Sequence, residues 1–242
     1  MKIVVAMAGL GTRFQEAGHT YPKPLIRTGN TTMIQNVYYS LDWPGDWYFI
    51  ALKEHLDQFN FMLPLLESMG SVTVIDKPTR GAAETLQQCK EIMNSSSPFI
   101  SVNCDQVFEW DTTELQEKMK VEPDASYMTT YDSLDEQRHS FALTNDNDID
   151  VWHCCEKTRL GYHCNNATTG FYHFANGEVY NEATTKLLSK PPEYGEYYVS
   201  SVYNELIAKK HIVKQYKVHG KTFWPVGTQD DWLHYTHRHF RQ

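Results

Sequence analysis

The chain has 242 residues, enough to bury one full core, or one core with an added lobe, and little more. Hydrophobic residues make up 41%, charged residues 21% and the mean hydropathy is −0.53, which argues against a disordered chain and against membrane spans. A formal net charge of −8 argues against nucleic acid or acidic membrane as partner, because such binding rests on a surplus of cations.

The first element is the apolar run Ile3-Val4-Val5-Ala6-Met7, with the length and β-branched content of a buried strand. It empties through Ala8 into Gly9-Leu10-Gly11-Thr12-Arg13, and Pro22-Lys23-Pro24-Leu25 follows. Glycines let a backbone approach an anion with its N–H groups outward, while Arg13 and Lys23 bring fixed charge to the same loop. Through Arg27 the cations Lys2, Arg13, Lys23 and Arg27 face only Glu16, a positive island suited to a small anionic ligand. The kinase-type phosphate loop needs a Gly-Lys-Ser/Thr ending that is missing here, and the dinucleotide fingerprint needs a glycine where Phe14 stands. The turn also interrupts the only N-terminal apolar stretch, so no signal-peptide pattern is visible and the expected compartment is the cytoplasm. Five cysteines without secretory context read as reduced thiols.

Thr31-Thr32 is placed to cap a helix through Ile34, Val37 and Leu41, and residues 47–52 read as a second strand. A helix is expected over 59–69, kinked or restarted at Pro64, then a strand over 71–75, a helix over 82–93 and a strand over 98–103. This alternation implies a three-layer α/β sheet, mostly parallel in the N-terminal half, with ligands at the carboxyl ends of its strands. After residue 110 the strands at 125–131, 141–143, 151–156 and 169–173 alternate and are joined by polar turns, so that part of the sheet is expected to be mixed. Asp146 to Asp150 begins like a calcium loop but has Val151 where the sharp turn needs glycine, and a hairpin turn is the better reading. His153, Cys154, Cys155, His163 and Cys164 lack zinc-ligand spacing, and strand alternation sends Cys154 and Cys155 to opposite faces, which favours packing. His234, His237 and His239 read as a solvated helix face, and Thr228 with Asp231 resembles a capping box.

Gly-x-Gly-Thr-Arg followed ten residues after Arg13 by Lys23, within Pro-Lys-Pro, resembles the signature of nucleotidyltransferases acting on sugar 1-phosphates and small alcohol phosphates. The resemblance implies a Rossmann-like, GT-A-type mixed sheet and a single domain over 1–242, with a nucleotide half at 1–110 and an acceptor half at 111–242. It implies that Ala8, Gly9, Leu10, Gly11, Thr12, Arg13 and Lys23 hold the triphosphate, and that Gly81, Ala82 and Glu84 form the second nucleotide loop. Glu84 there either accepts from a cytosine amino group or merely stabilises the start of a helix. Asp105, after Asn103-Cys104 where many relatives have glycine, is the implied Mg2+ ligand, since an oxygen donor beside a triphosphate suits that cation. Gln106, Glu156, Lys157, Thr169, Gly170, Tyr198 and Asn204 are the implied acceptor contacts, with packing of an aromatic-rich helix as the alternative for the last two. Relatives often carry a second metal-binding aspartate where Pro225 stands, and Asp230 is a distant substitute.

The implied reaction is attack of an acceptor phosphate on the α-phosphorus of a nucleoside triphosphate, with CTP favoured over UTP and dTTP. The acceptor is a phosphorylated sugar or a small phosphomonoester, and a second copy of the chain is the one macromolecular partner this reading admits. Catalysis falls to Arg13, Lys23 and Asp105, with no general base, because a phosphomonoester is already largely dianionic at neutral pH. Two rivals stay open: a glycosyltransferase on the same fold, which wants an Asp-x-Asp motif that Asp105-Gln106-Val107 does not supply, and a nucleotide-binding protein without turnover.

Overall fold

The computed structural model describes residues 1–135, 138–158, 165–219 and 222–240. Strand β1 (Lys2–Met7) runs through the middle, with Ile3 and Val5 entering one core cluster and Val4 the other, as strand alternation requires. After the glycine turn come α1 (Thr12–Glu16), the short ribbon β2 (Arg27–Thr28) and β3 (Thr31–Thr32), and α2 (Met33–Ser40). Thr32 caps α2 reciprocally: its Oγ1 accepts from the Gln35 N–H at 3.4 Å, and Gln35 Oε1 accepts from the Thr32 N–H at 2.9 Å.

The next elements are β4 (Asp46–Leu52), α3 (Lys53–Gln58), α4 (Met62–Glu67) and β5 (Ser71–Ile75). The helix expected over 59–69 begins only at Met62, with Pro64 in its first turn, where a missing N–H has no intrahelical partner to lose. The helix expected over 82–93 is two, α5 (Ala82–Leu86) and α6 (Lys90–Met93). At the break Gln87 Nε2 donates to Asn181 Oδ1 at 2.9 Å, and no glycine or proline marks the position.

Then follow β6 (Phe99–Val102), β7 (Gln106–Phe108), α7 (Thr113–Val121), β8 (Ser126–Asp132), β9 (Ser140–Thr144), β10 (Val151–Glu156) and β11 (Asn166–Phe174). The chain closes with α8 (Gly177–Leu188), α9 (Val199–Ala208), β12 (Val213–Lys217), β13 (Phe223–Pro225) and α10 (Gln229–Phe240). The β9–β10 connection is the expected hairpin turn, with Asn147 Oδ1 accepting from the N–H groups of Ile149 and Asp150 at 3.0 and 3.1 Å.

Topology creates the site. β1 pairs in parallel with β4 on one side and β6 on the other, and β4 pairs with β5. The chain therefore builds outward from β1 to β5 and then returns to lay β6 against the opposite edge of β1. Where strand order reverses, the connections leave to opposite faces and a crevice opens at the carboxyl ends of β1 and β6. β1 ends in the glycine turn and β6 in Asn103-Cys104-Asp105, so two motifs distant in sequence become neighbours. β11 runs antiparallel to β6 and β8, and β12 runs parallel to β8, which makes the second half mixed.

Helices cover both faces. Ile34, Val37, Leu56, Leu66 and Leu115 pack on one side of the sheet, and Ala83, Leu86, Tyr180, Val202 and Leu206 on the other, giving three layers. Cys154 and Cys155 enter separate clusters, in line with strand alternation. Among the described residues no group of three or more His, Cys, Asp or Glu converges to hold a metal ion; His163 and Cys164 lie outside them. No helix among the described residues is long and apolar enough to cross a membrane.

Candidate active site

Gly11 stands at the junction of turn and helix with φ +66°, a left-handed conformation that favours glycine, and a Cβ there would lie 3.3 Å from Lys23 Cβ. The N–H groups of Leu10, Gly11, Thr12 and Arg13 have no backbone acceptor among the described residues, since the first turn of a helix has no partner for its donors. Beneath the turn, Phe14 is buried with Ile26, Met33, Val107, Val226 and Tyr235. This cluster ties α1 to the segments carrying Asp105 and Gly227.

Lys23 opens a single 3₁₀ turn between Pro22 and Pro24, whose fixed φ angles set the direction in which its side chain leaves. Its Nζ forms an ion pair with Asp105 Oδ2 across the crevice. Burial works against the ammonium, but the Asp105 carboxylate outweighs it and holds the Lys23 pKa above the ordinary lysine value, while the Arg13 charge opposes it. Arg13 is exposed on α1, and its charge is felt at Lys23.

Asp105 sits between β6 and β7, buried. Its Oδ1 accepts from Gln106 Nε2 at 3.3 Å, and its carbonyl accepts from the Val226 N–H at 2.9 Å. Gly227 faces Oδ2 so closely that a Cβ would stand 2.6 Å away. Cys104, beside this pair, is a neutral thiol pushed up to about 12 by burial. One carboxylate with a glycine-lined approach suits Mg2+, which takes one or two protein carboxylates and completes its shell with phosphates and waters, but Asp105 would have to exchange its bonds to Lys23 and Gln106 to take it. Pro225 lies opposite Gln106 in the β7–β13 ladder and offers no side-chain donor atom, and Asp230 is exposed in the first turn of α10.

The second loop differs from the first. Glu84 accepts from the Arg80 N–H at 2.7 Å and from Arg80 Nη2 at 2.8 Å, so Arg80 holds its carboxyl below the usual carboxylate range. Both oxygens of Glu84 are engaged in fastening its own loop. Gly81 has φ +151°, and a Cβ there would come 2.5 Å from the Tyr197 backbone. The Tyr197 N–H donates to Arg80 O at 3.0 Å and the Ala83 N–H donates to Tyr197 O at 3.1 Å. Ala82 begins α5, but the first-turn donor of Ala83 is already engaged.

Of the residues implied as acceptor contacts, Glu156 ends β10 and Lys157 follows it. Glu156 is 5% exposed, accepts from Ser140 Oγ, and is pushed up to about 7 by burial, which Ser140 and Lys157 only partly offset. Lys157 has φ +49°, donates from Nζ to the Tyr198 hydroxyl at 3.0 Å, and lies 5.3 Å from the ring centres of both Tyr194 and Tyr198. Gly170, with φ +85° at a bulge in β11, abuts Asn103 and Gln106, where a Cβ would meet Asn103 Nδ2 at 2.6 Å. Two residues implied as acceptor contacts turn inward. Thr169 is 0% exposed and bonds Thr129 within the sheet. Asn204 clamps the backbone of β10, donating to Cys154 O and accepting from the Cys154 N–H, both at 2.8 Å, which is the packing alternative. Ser140, Ser200, Tyr194 and Tyr197 carry no motif that singles them out, and only their packing brings them here.

Compared with known proteins, residues 2–239 match the family described as Nucleotidyl transferase. A mannose-1-phosphate guanyltransferase of Aspergillus oryzae (strain ATCC 42149 / RIB 40) is 28% identical over 130 residues, 48% of this chain and 34% of that protein, so the match spans about a third of the relative. A nucleoside-diphosphate-sugar pyrophosphorylase of Vibrio cholerae RC9 superposes with a TM-score of 0.81 at 22% identity, covering 97% of this chain and 99% of that one. The inositol-1-phosphate CTP transferase of T. maritima does so with a TM-score of 0.73 at 15% identity, over 100% and 97%. These superpositions establish a shared fold; the family match, which runs from β1 into α10, establishes more, and the chain belongs to the nucleotidyl transferase family.

Proposed function

We propose that this chain transfers a nucleotidyl group from a nucleoside triphosphate to the phosphate of a small phosphomonoester, releasing pyrophosphate. The observation that carries this reading is the Lys23–Asp105 ion pair spanning the crevice between β1 and β6, beside backbone donors left open by the glycine turn. The open N–H groups receive the triphosphate. Arg13 and Lys23 neutralise the charge that builds on the α-phosphate and the pyrophosphate during in-line displacement. Lys157, steadied by Tyr198, meets the acceptor phosphate, and Glu156 accepts from acceptor hydroxyl or amine groups. The acceptor phosphate, with a second pKa of about 6, attacks as the dianion and needs no base. Mg2+, held by Asp105, supplies charge compensation and orientation for the phosphates when bound.

The base we propose is cytosine. The Pro-Lys-Pro-Leu wording supports it; among structural neighbours one is a CTP transferase, while others are a thymidylyltransferase and UDP-glucose pyrophosphorylases, and the Aspergillus relative is a guanyltransferase. A pyrophosphate-release screen crossing four triphosphates with sugar 1-phosphates and small phosphomonoesters tests the whole reading. Release with CTP and one acceptor class is the expected result. Release only from a nucleotide-sugar donor, as nucleoside diphosphate, would assign a glycosyltransferase, and no release from any pair would sink the transferase assignment.

A further inference from the structure

Between Tyr194 and Ser200 the chain touches both halves of the crevice. Tyr197 is stitched to the second nucleotide loop by its N–H to Arg80 O and its carbonyl to the Ala83 N–H, and the Arg80 guanidinium lies 5.0 Å from the Tyr197 ring centre. The next residue, Tyr198, is extended at φ −81° and ψ 149°, so its side chain leaves to the other side and receives Lys157 Nζ at 3.0 Å. Ser200 Oγ donates to Ser140 Oγ at 2.9 Å, and Ser140 donates to Glu156. One end of the segment is fixed in α9, and the other begins at two successive left-handed residues, Tyr194 at φ +47° and Gly195 at φ +81°.

We infer that this strap couples the two substrate pockets, so that filling the nucleotide loop organises Glu156 and Lys157 for the acceptor, and acceptor binding returns the favour to the nucleotide. This rests on the proposed transferase reading. The physical basis is that Tyr197 and Tyr198 share one peptide unit. A nucleotide that fixes Arg80 and Gly81 fixes Tyr197, hence the hydroxyl of Tyr198 and the direction of the Lys157 ammonium. Coupling of this kind is reciprocal by thermodynamic necessity. Tyr197, Ser140 and Ser200 act as positioning residues: each works through another side chain.

Hydrogen exchange on the full chain tests the coupling without knowledge of the acceptor. The probes are the four non-hydrolysable α,β-methylene nucleoside triphosphates with Mg2+, and inorganic phosphate. With a nucleotide that slows exchange in the glycine turn and at 80–84, the amides of 156–158 should also slow, by about fivefold, the lower end for coupled sites. Inorganic phosphate added to that complex should slow 80–84 further. Tyr198→Phe and, independently, Ser200→Ala, which remove the strap's side-chain bonds to Lys157 and to Ser140, should keep the nucleotide's protection of the glycine turn and lose its effect at 156–158. Protection confined to the turn and to 80–84 in the wild-type chain overturns the coupling while leaving the transferase reading intact. Absence of protection anywhere with all four triphosphates overturns both.

Discussion

The two walls of the crevice are made of different material. Around the glycine turn the surface is backbone, with N–H groups that find no backbone acceptor among the described residues and one lysine fixed between prolines. At the end of β10 the surface is side chains held in relay, Ser200 to Ser140 to Glu156 and Lys157 to Tyr198, drawn from β9, β10 and the start of α9. A backbone surface needs little beyond the right φ angles and is close to its working form without a ligand. A relay fails when any one member moves, so the acceptor wall should be the more sensitive to distant substitutions.

The largest expected effect sharpens the nucleotide wall. Lys23→Ala or Arg13→Ala should raise the barrier by about 2–4 kcal/mol, the usual loss for one preorganised charge-stabilising contact, read as kcat at saturating substrates. Turnover near wild type in both variants would leave the backbone as the sole catalytic surface. Next comes Glu156. Folded, it keeps its proton to about pH 7, while the unfolded chain releases it near 4.5. Between those values the folded state binds the additional proton, so stability falls as pH rises through the window. Glu156→Gln should remove this slope and leave the chain more stable above pH 7, by up to about 3 kcal/mol at about 1.4 kcal/mol per pH unit. Urea midpoints at pH 5, 6, 7 and 8 measure it, and parallel profiles for the two proteins would refute a buried carboxyl at this position.

Gly81→Ala should cost about 2 kcal/mol in stability, because φ +151° disfavours a side chain and the Tyr197 backbone fills the space, and it should weaken nucleotide binding as well. An unchanged urea midpoint would mean that the strap does not press on this loop. The smallest effect is expected from Glu84→Gln, about 0.5 kcal/mol, since its partner Arg80 is largely exposed. Preference among the four triphosphates should stay the same; a changed preference would return Glu84 to base reading.

The contrast between the walls also explains what could be read in advance. Gly11 is recognisable because few residues accept its φ, and Lys23 because two prolines bracket it. Glu84 was ambiguous, since an acidic residue near a helix start serves either a ligand or the fold, and the Arg80 bonds favour the fold. Asn204 and Thr169 sit in segments with the right wording but point their polar atoms at Cys154 and Thr129, a matter of rotation that no spacing encodes. The aromatic-rich helix starts only at Val199, because the Tyr197 backbone is bonded to Arg80 and Ala83 and Tyr198 is extended, a tertiary tie that no local propensity encodes.

By itself the sequence determined the alternation of strands and helices, the glycine turn and the cations beside it, because apolar periodicity and glycine geometry are local properties. Only the tertiary structure decided that Lys23 meets Asp105, that Gly227 shapes the approach to that carboxylate, and that Tyr197 bonds the loop at Arg80 and Ala83 while Tyr198 receives Lys157. Those facts follow from the reversal of strand order around β1 and from which face of each strand meets its neighbour, and both are set by packing across the whole chain.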